Sequence, residues 1–539
     1  MRAIVANHKF HLAAIGIIFS IFIYSLFIRQ DELNSELSAE QEWITAHVLV
    51  TNQIWEEAGG PSAYGFNPVY TYAGQGNKGI TSYGGVEDEN GDLYYVSYPP
   101  LAFIFAYYGT SILGGPDLYS IRALGLIIHF FCAFFIYLIF KNLSVQKNDK
   151  IHFAGILASA FYLLSAGTLW MHSTLYFSDM LVQPFIILSL LYSIKLFQSE
   201  KLNQSSLLIS IGVITFLGCY TEWLAVLLAF VLGITFLILF FTQKKKHFFK
   251  AFLIIGLSSI LSVSLTVIQY SSIAGFDRFL KVSSQKYGER SGYEDAATTA
   301  AGYNIENPDA YQLLTDNIVR NFYTPLVYLL GLLVVFILFL ILKKYRARIE
   351  KLNSKIGICA ILLVAVIFHY LLFFNFNALH NFSNLKTGFL IILLIGCFVS
   401  IMEDALKTPV QWVILGTLTV VFFIKIPNEA ELFHEFSKEP YYTEHFKYSA
   451  DQVKKHSTPE TYVFSNMRMI QPEYVYRAHH NIFGLRDSND IGFFMNYFGC
   501  NRMDYYVHEK VFLKHIYQYE KIDSNIVLIN SMDFNLDKH

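Results

Sequence analysis

The sequence predicts an α-helical polytopic membrane protein of about 11 spans, with the N-terminus inside and the C-terminus outside. Large loops lie on one face, and a small C-terminal α/β domain follows the last span. Three observations predict this. Hydrophobic residues make up 54 % of the chain and charged residues only 15 %, with a mean hydropathy of +0.39, too apolar for a water-soluble domain. Apolar runs of roughly 18 to 22 residues recur, each long enough to cross a bilayer as a helix. Lysine and arginine fall on alternate connections between those runs.

The spans are expected at about 9–28, 118–140, 151–170, 176–196, 205–220, 223–242, 249–271, 323–342, 356–374, 386–402 and 410–425. The apolar stretch 205–242 is too long for one crossing and divides at the polar turn Cys219-Tyr220-Thr221-Glu222-Trp223. Taking the side of residue 1 as inside, the inside connections and the span ends beside them hold 16 basic residues, from Lys141 through the Lys343–Lys355 group to Lys407. The short outside connections 171–175, 221–222 and 375–385 hold none. The same parity puts loop 29–117, loop 272–322 and the tail outside, and divides the chain into a transmembrane domain, 1–425, and an extracytoplasmic domain, 426–539. The first span lacks a small-residue cleavage site and reads as a retained helix. The five cysteines are scattered without a CxxC, which argues against a disulfide framework or zinc site. The net charge of −2 gives no field that would attract nucleic acid.

The first outer loop is far longer than a simple helix connection. It opens with Asp31, Glu32, Glu36, Glu40 and Glu42. From there Trp43, Ala46, Val50 and Ile54 recur at helical spacing, as in an amphipathic helix lying on a membrane. Ser38 is its expected N-cap, which sets Glu40 and Glu42 in the first turn. There they either complement the helix dipole or act as a general base on an acceptor hydroxyl or amine. Glu89-Asn90-Gly91-Asp92 reads as a hairpin turn. Tyr98-Pro99-Pro100-Leu101 fixes an extended entry to an apolar helix over 101–113, and serves either as a return to the bilayer or as a wall of a cavity.

Further candidates sit at the outer ends of later spans. Arg122 opens the second span and either snorkels, pairs with an acid such as Asp179, or faces a phosphate. His172 and Asp179 flank the next outer junction, and Glu222 lies at the one after; an acid there either complements a helix dipole or faces the loop cavity. Loop 272–322 carries Arg278, Lys281, Lys286 and Arg290, either a solvated basic helix or a patch for a polyisoprenyl phosphate. His380 and Asn381 stand in a turn, 375–386, dense in hydrogen-bonding groups suited to a sugar. No second ligand is spaced to make His380 a metal site. In the tail, 460–465 and 525–530 read as buried strands, with helices at about 488–498 and 505–520.

In order and spacing these features resemble the membrane-embedded C-type glycosyltransferase superfamily, above all the protein O-mannosyltransferases and the lipid A aminoarabinose transferases. The resemblance rests on Ala39-Glu40 followed by Trp43 and Ala46 after the first span, on Tyr98-Pro99-Pro100-Leu101, on Arg122 and on Asp179. It covers roughly residues 1–200. Two departures stand out: Asp-Glu is absent at the start of the loop helix, so Glu40 and Glu42 compete for its role, and Tyr98 replaces a common lysine. The resemblance implies an inverting transferase that moves a sugar from a polyprenyl-phosphate donor to a glycan, lipid or protein acceptor at the outer face of a cell membrane, a bacterial inner membrane in the first instance. Arg122, Arg278, Lys281 and Arg290 would meet the phosphate, Tyr98, His172, His380 and Asn381 the substrate, and Glu40, Glu42 or Asp179 the proton. No metal and no cofactor are implied. Two other classes fit a multi-span body with large outer loops: a transporter or lipid flippase, which needs ionisable groups such as His129 and His369 deep in the spans, and an O-antigen ligase or polymerase, which takes a pyrophosphate-linked glycan.

Overall fold

The structure is a computed structural model that describes residues 2–37, 40–78, 85–144, 152–199, 204–293, 303–341, 353–405, 408–438, 444–465, 471–484, 503–506, 520–521 and 527–528. It forms two compact units, each assembled from distant parts of the chain. The first comprises Met1–Ser35, Ile121–Thr266 and Ser284–Lys438, the second Glu36–Ser120, Val267–Ser283 and Glu439–His539. The division is not a linear one at residue 425. The first loop groups with the tail, an association that hydropathy along the chain does not register.

Every expected span coincides with a helix. The first unit contains α1 (Arg2–Ile28), the short α2 (Gln30–Leu33) and, beyond the first loop, most of α5 (Leu118–Leu143). Next come α6 (Phe153–Leu164), α7 (Ala166–Ser173), α8 (Ser178–Gln198), α9 (Gln204–Cys219) and α10 (Trp223–Gln243), then most of α11 (Lys246–Ala274). The end of α12 (Phe276–Ser291) leads to α13 (Pro308–Ile341), α14 (Asn353–Leu372), α15 (Phe374–Leu379), α16 (Leu385–Ala405) and α17 (Thr408–Lys438). Among the described residues, eight helices are long and apolar enough to cross a membrane, and a bent pair, α6 and α7, makes a ninth. Most of α16 is buried, whereas α1 and α11 turn rows such as Leu257, Leu261, Leu265 and Ile268 outward. Such apolar rows are stable against lipid and costly against water.

Two spans differ from straight rods. The 151–170 segment bends by 60° between α6 and α7. Ser165 is extended there (φ −72°, ψ 138°), and the Ala166 N–H freed by the break donates to Glu429 Oε2 of α17 at 2.6 Å. α13 kinks at Phe322 (φ −134°, ψ 30°), three residues before Pro325, whose ring cannot accept a straight turn. The expected domain boundary at 425/426 falls inside a continuous helix, because α17 carries Pro427 and runs on to Lys438.

The second unit joins the loop to the tail. α3 (Trp43–Glu57) begins one turn later than the sequence suggested. Gln41 adopts φ +62°, which ends any helix through it, so Glu42 is the N-cap and neither glutamate lies in the first turn. Ser38 is outside the described residues. The expected hairpin is present: β1 (Val86–Glu87) pairs antiparallel with β2 (Leu93–Tyr94), and the turn between them uses Gly91 at φ +78°. α4 (Leu101–Leu113) starts directly after Pro100. In the tail, α18 (Glu444–His456) leads into β3 (Tyr462–Ser465), α19 (Pro472–Ala478), β4 (Ile482–Gly484) and β5 (Met503–Tyr506). These strands form a parallel sheet in the order β4-β3-β5, so β3-α19-β4 is a βαβ unit. The expected helix over 505–520 is corrected at its start, where Tyr505 and Tyr506 pair with β3, as aromatic residues favour. The expected strand 525–530 appears as β7 (Val527–Leu528), antiparallel to β6 (Glu520–Lys521); the expected helix 488–498 lies outside the described residues.

The Gly/Tyr/Asn-rich part of the loop is the seam of this unit. Gly76 N–H donates to Pro459 O at 3.0 Å, and a Cβ at Gly76 would run into the Thr461 backbone. Asn77 accepts from Asn481 N–H at 2.7 Å and, with its own carbonyl, from Asn481 Nδ2 at 2.6 Å. The loop therefore lies against the start of β3, at a separation that only glycine permits.

Candidate functional site

Four spans deliver ionisable side chains to one end of the first unit. Asp179 lies in the first turn of α8, Glu222 immediately before α10, His369 in the last turn of α14 and Lys386 in the first turn of α16. Arg290, in the last turn of α12, joins them. All but Arg290 are buried, and Asp179, Glu222, Lys386 and Arg290 act on one another electrostatically. Charged groups are held away from water at such cost only where they meet one another or a ligand.

The hydrogen bonds define the arrangement. Glu222 caps α10, its Oε2 accepting from Leu224 N–H at 2.7 Å. Its Oε1 lies 3.3 Å from His369 Nε2. Lys386 Nζ donates to Asn377 Oδ1 at 2.6 Å and to the Ser383 carbonyl. An ammonium only donates, so the Asn377 oxygen must face Lys386 and its amide nitrogen must face the other way. That nitrogen sits 3.3 Å from His369 Nδ1 and donates to the carbonyls of His369 and Phe373. An amide nitrogen cannot accept, so the Nδ1 that faces it is the unprotonated ring atom, Nε2 carries the ring proton, and the imidazole donates to Glu222. A continuous chain runs Glu222, His369, Asn377, Lys386. Lys386 also lies 4.9 Å over the Tyr370 ring, whose hydroxyl donates to Asn384 Oδ1 at 2.6 Å. Against this saturation, Asp179 Oδ2 is buried without a hydrogen-bond partner among the described residues.

A second buried network surrounds Arg29, at the end of α1. Its guanidinium contacts the Ser25 carbonyl (3.1 Å) and hydroxyl (2.6 Å), Ser173 Oγ (3.3 Å) and His129 Nδ1 (3.1 Å). His129 Nε2 is 2.8 Å from the Tyr162 carbonyl, and the His129 ring stacks on His172 with centroids 4.6 Å apart. His172 Nε2 in turn meets Tyr162 Oη at 3.0 Å. No acid pairs with Arg29 among the described residues, so neutral dipoles solvate this cation.

The second unit presents Glu42 fully buried next to the left-handed Gln41, while Glu40 is only partly covered. One helical turn on, His47 is enclosed by the rings of Trp43, Tyr70 and Tyr95. Burial there lowers its pKa to about 3, which keeps the imidazole neutral. Tyr98 is buried in the same aromatic layer, 6.4 Å from Tyr95, and its carbonyl accepts from the Tyr270 hydroxyl. Arg278 and Lys281 are exposed on the first turns of α12.

Of the residues singled out from sequence, Asp179, Glu222 and Arg290 therefore belong to one cluster. Arg290 lies over the Phe376 ring at 5.2 Å and acts on His380, which stacks on Phe382 and lies tilted against Phe376. Asn381 accepts from Asn321. Arg122 grips the Leu33 and Ser35 carbonyls and so fixes the chain leaving α2. His172 belongs to the Arg29 network. Glu40, Glu42, Tyr98, Arg278 and Lys281 belong to the other unit. Lys386, His369, Asn377 and Arg29 carried little weight in the sequence; their signal was an ionisable or amide group at the same end of successive spans, legible only once those ends are seen to meet. Among the described residues no metal-ligating group of three His, Cys, Asp or Glu is present.

Several solved structures share this backbone fold. ArnT from Cupriavidus metallidurans, solved bound to undecaprenyl phosphate, superposes with a TM-score of 0.57 at 10 % identity over 97 % of this chain and 98 % of its own. The oligosaccharyltransferase of Archaeoglobus fulgidus in its apo form gives 0.57 at 9 % identity, over 91 % of this chain and 69 % of its own. The oligosaccharyltransferase AglB of the same organism, in complex with an inhibitory peptide and a dolichol-phosphate, gives 0.57 at 9 % identity, over 92 % and 69 %. No protein-family model and no curated sequence matches the chain. The fold is the one these solved structures share. ArnT is matched over nearly the whole length of both chains.

Proposed function

We propose that this chain is a membrane glycosyltransferase that moves a sugar from a polyprenyl-phosphate carrier to an acceptor at the outer face of a cell membrane, a bacterial inner membrane in the first instance. One observation carries the reading. A fold otherwise found around lipid-linked phosphates places an interacting set of acids and cations, the buried Asp179, Glu222 and Lys386 with the half-buried Arg290, at one end of its spans. Placing the N-terminus inside puts that end, the first loop and the tail at the outer face.

In this reading the acceptor hydroxyl or amine attacks the anomeric carbon, and the carbon–oxygen bond to phosphate breaks with inversion. The electron pair leaves on the phosphate, where Lys386 and Arg290 stabilise it, the kind of contribution that is often largest. A carboxylate takes the acceptor proton. Glu42 is the proposed base in preference to Glu40, because it is the buried one and follows a strained residue. Asp179, with an oxygen left to accept, is proposed to hold a sugar hydroxyl. His380 and Asn381 are proposed to line the sugar side, with Tyr98 shaping the acceptor loop. Arg278 and Lys281 would attract anionic headgroups, and Arg122 and His172 act by holding the ends of their spans.

The test is transfer by the purified full chain in phosphatidylcholine nanodiscs, supplied with undecaprenyl-phosphate-linked sugars. Release of undecaprenyl phosphate that requires Asp179 and Lys386 is expected. Movement of the intact carrier across liposomes without bond cleavage would overturn the reading in favour of a flippase.

A further inference from the structure

A lysine buried beside two acids would ordinarily close an ion pair with one of them, and its charge would then be spent internally. Lys386 does not. Among the described residues its ammonium makes no ion pair, although Asp179 and Glu222 are near enough to act on it. Two neutral oxygens hold it instead, Asn377 Oδ1 at 2.6 Å and the Ser383 carbonyl. Glu222 is drawn the other way, bonded to Leu224 N–H and His369. The group that separates the two is Asn377. Its oxygen takes the ammonium, and its nitrogen fixes the His369 tautomer that donates to Glu222.

We propose that Asn377 is a positioning residue: it keeps the Lys386 charge out of an internal ion pair, and so open to the phosphate of a lipid-linked donor. This rests on the reading of the function given above. An ammonium held by neutral dipoles has charge left for an anion, whereas one neutralised by a carboxylate does not. Asn377 is well placed for the task, because it is buried and its amide is anchored at both ends.

The experiment measures binding of undecaprenyl phosphate and of phosphate-free undecaprenol to the full chain in phosphatidylcholine nanodiscs. Asn377→Asp keeps the size and the contact to Lys386 but supplies the internal counter-charge. It is expected to weaken undecaprenyl phosphate about tenfold or more while leaving undecaprenol unchanged. Equal binding of the phosphate lipid by wild type and variant would overturn the proposal, as would an equal loss for both lipids, which marks a structural role. Should N377D not fold, Lys386→Gln asks the same question, and a phosphate preference that survives it overturns the proposal. A wild-type chain that binds undecaprenyl phosphate no better than undecaprenol overturns the functional reading itself, an outcome distinct from the others.

Discussion

His369 and Glu222 lie 3.3 Å apart, Nε2 to Oε1, on two different spans, and both are buried. The contact joins the end of α14 to the start of α10, and the imidazole is the side chain that donates to this acid. His369→Leu would leave a buried carboxylate oxygen short of a donor, a loss of roughly 1–3 kcal/mol. A lower melting temperature is expected for His369→Leu, and recovery of most of it for His369→Gln, whose amide can donate in the same place. Equal melting of both variants would show that the hydrogen bond is not what holds the two ends.

Glu42→Gln is expected to lower the turnover of a polyprenyl-phosphate sugar by about 10²- to 10⁴-fold, the usual range for removing a general base, with little change in donor KM. Glu40→Gln, at the partly covered position, is expected to retain most turnover. Single-turnover kinetics of both variants checks this, and full activity in Glu42→Gln would remove it as the base.

His47 gives a pH signature. Its folded pKa of about 3 lies below the ordinary histidine value of 6.5, so the unfolded state binds the proton more readily. The stabilisation is complete above pH 6.5 and declines as pH falls through the interval towards 3. Between pH 7 and 5 the loss is about 2 kcal/mol by linkage. His47→Phe fills the same aromatic nest without a titrating group, so its melting temperature is expected to fall less between those pH values. Parallel pH curves for wild type and variant would exclude His47 as the cause.

Gly76→Ala places a methyl against the Thr461 backbone, where no side chain can move aside. A loss of about 1–3 kcal/mol is expected, the usual range for overpacking. Limited proteolysis of the tail should report it, and an unchanged cleavage rate would show that the loop has another way to sit. Gly16→Ala, in open space on α1, serves as the control.

The helices at the expected spans, the split before Glu222, the hairpin at Gly91 and the tail strands at Tyr462–Ser465 and Val527–Leu528 were legible in the chain, because each depends on local hydropathy, period or turn chemistry. Asp179 and Arg290 were legible as charges at span ends. The bend at Ser165 was not, because a remote acid, Glu429, is what satisfies its freed backbone. Nor was the loop helix's start at Trp43, which Gln41's backbone sets.

The sequence by itself determined that the chain enters a bilayer many times and carries its polar mass in a few long segments, since apolar length and charge parity are one-dimensional properties. Only the tertiary structure decided which charges matter together. Lys386, Asn377, His369 and Glu222 are spread over 165 positions of chain, yet they form one hydrogen-bonded series because four helix ends meet. The packing that brings them together comes from the apolar faces of those helices, and nothing in the polar residues themselves announces it.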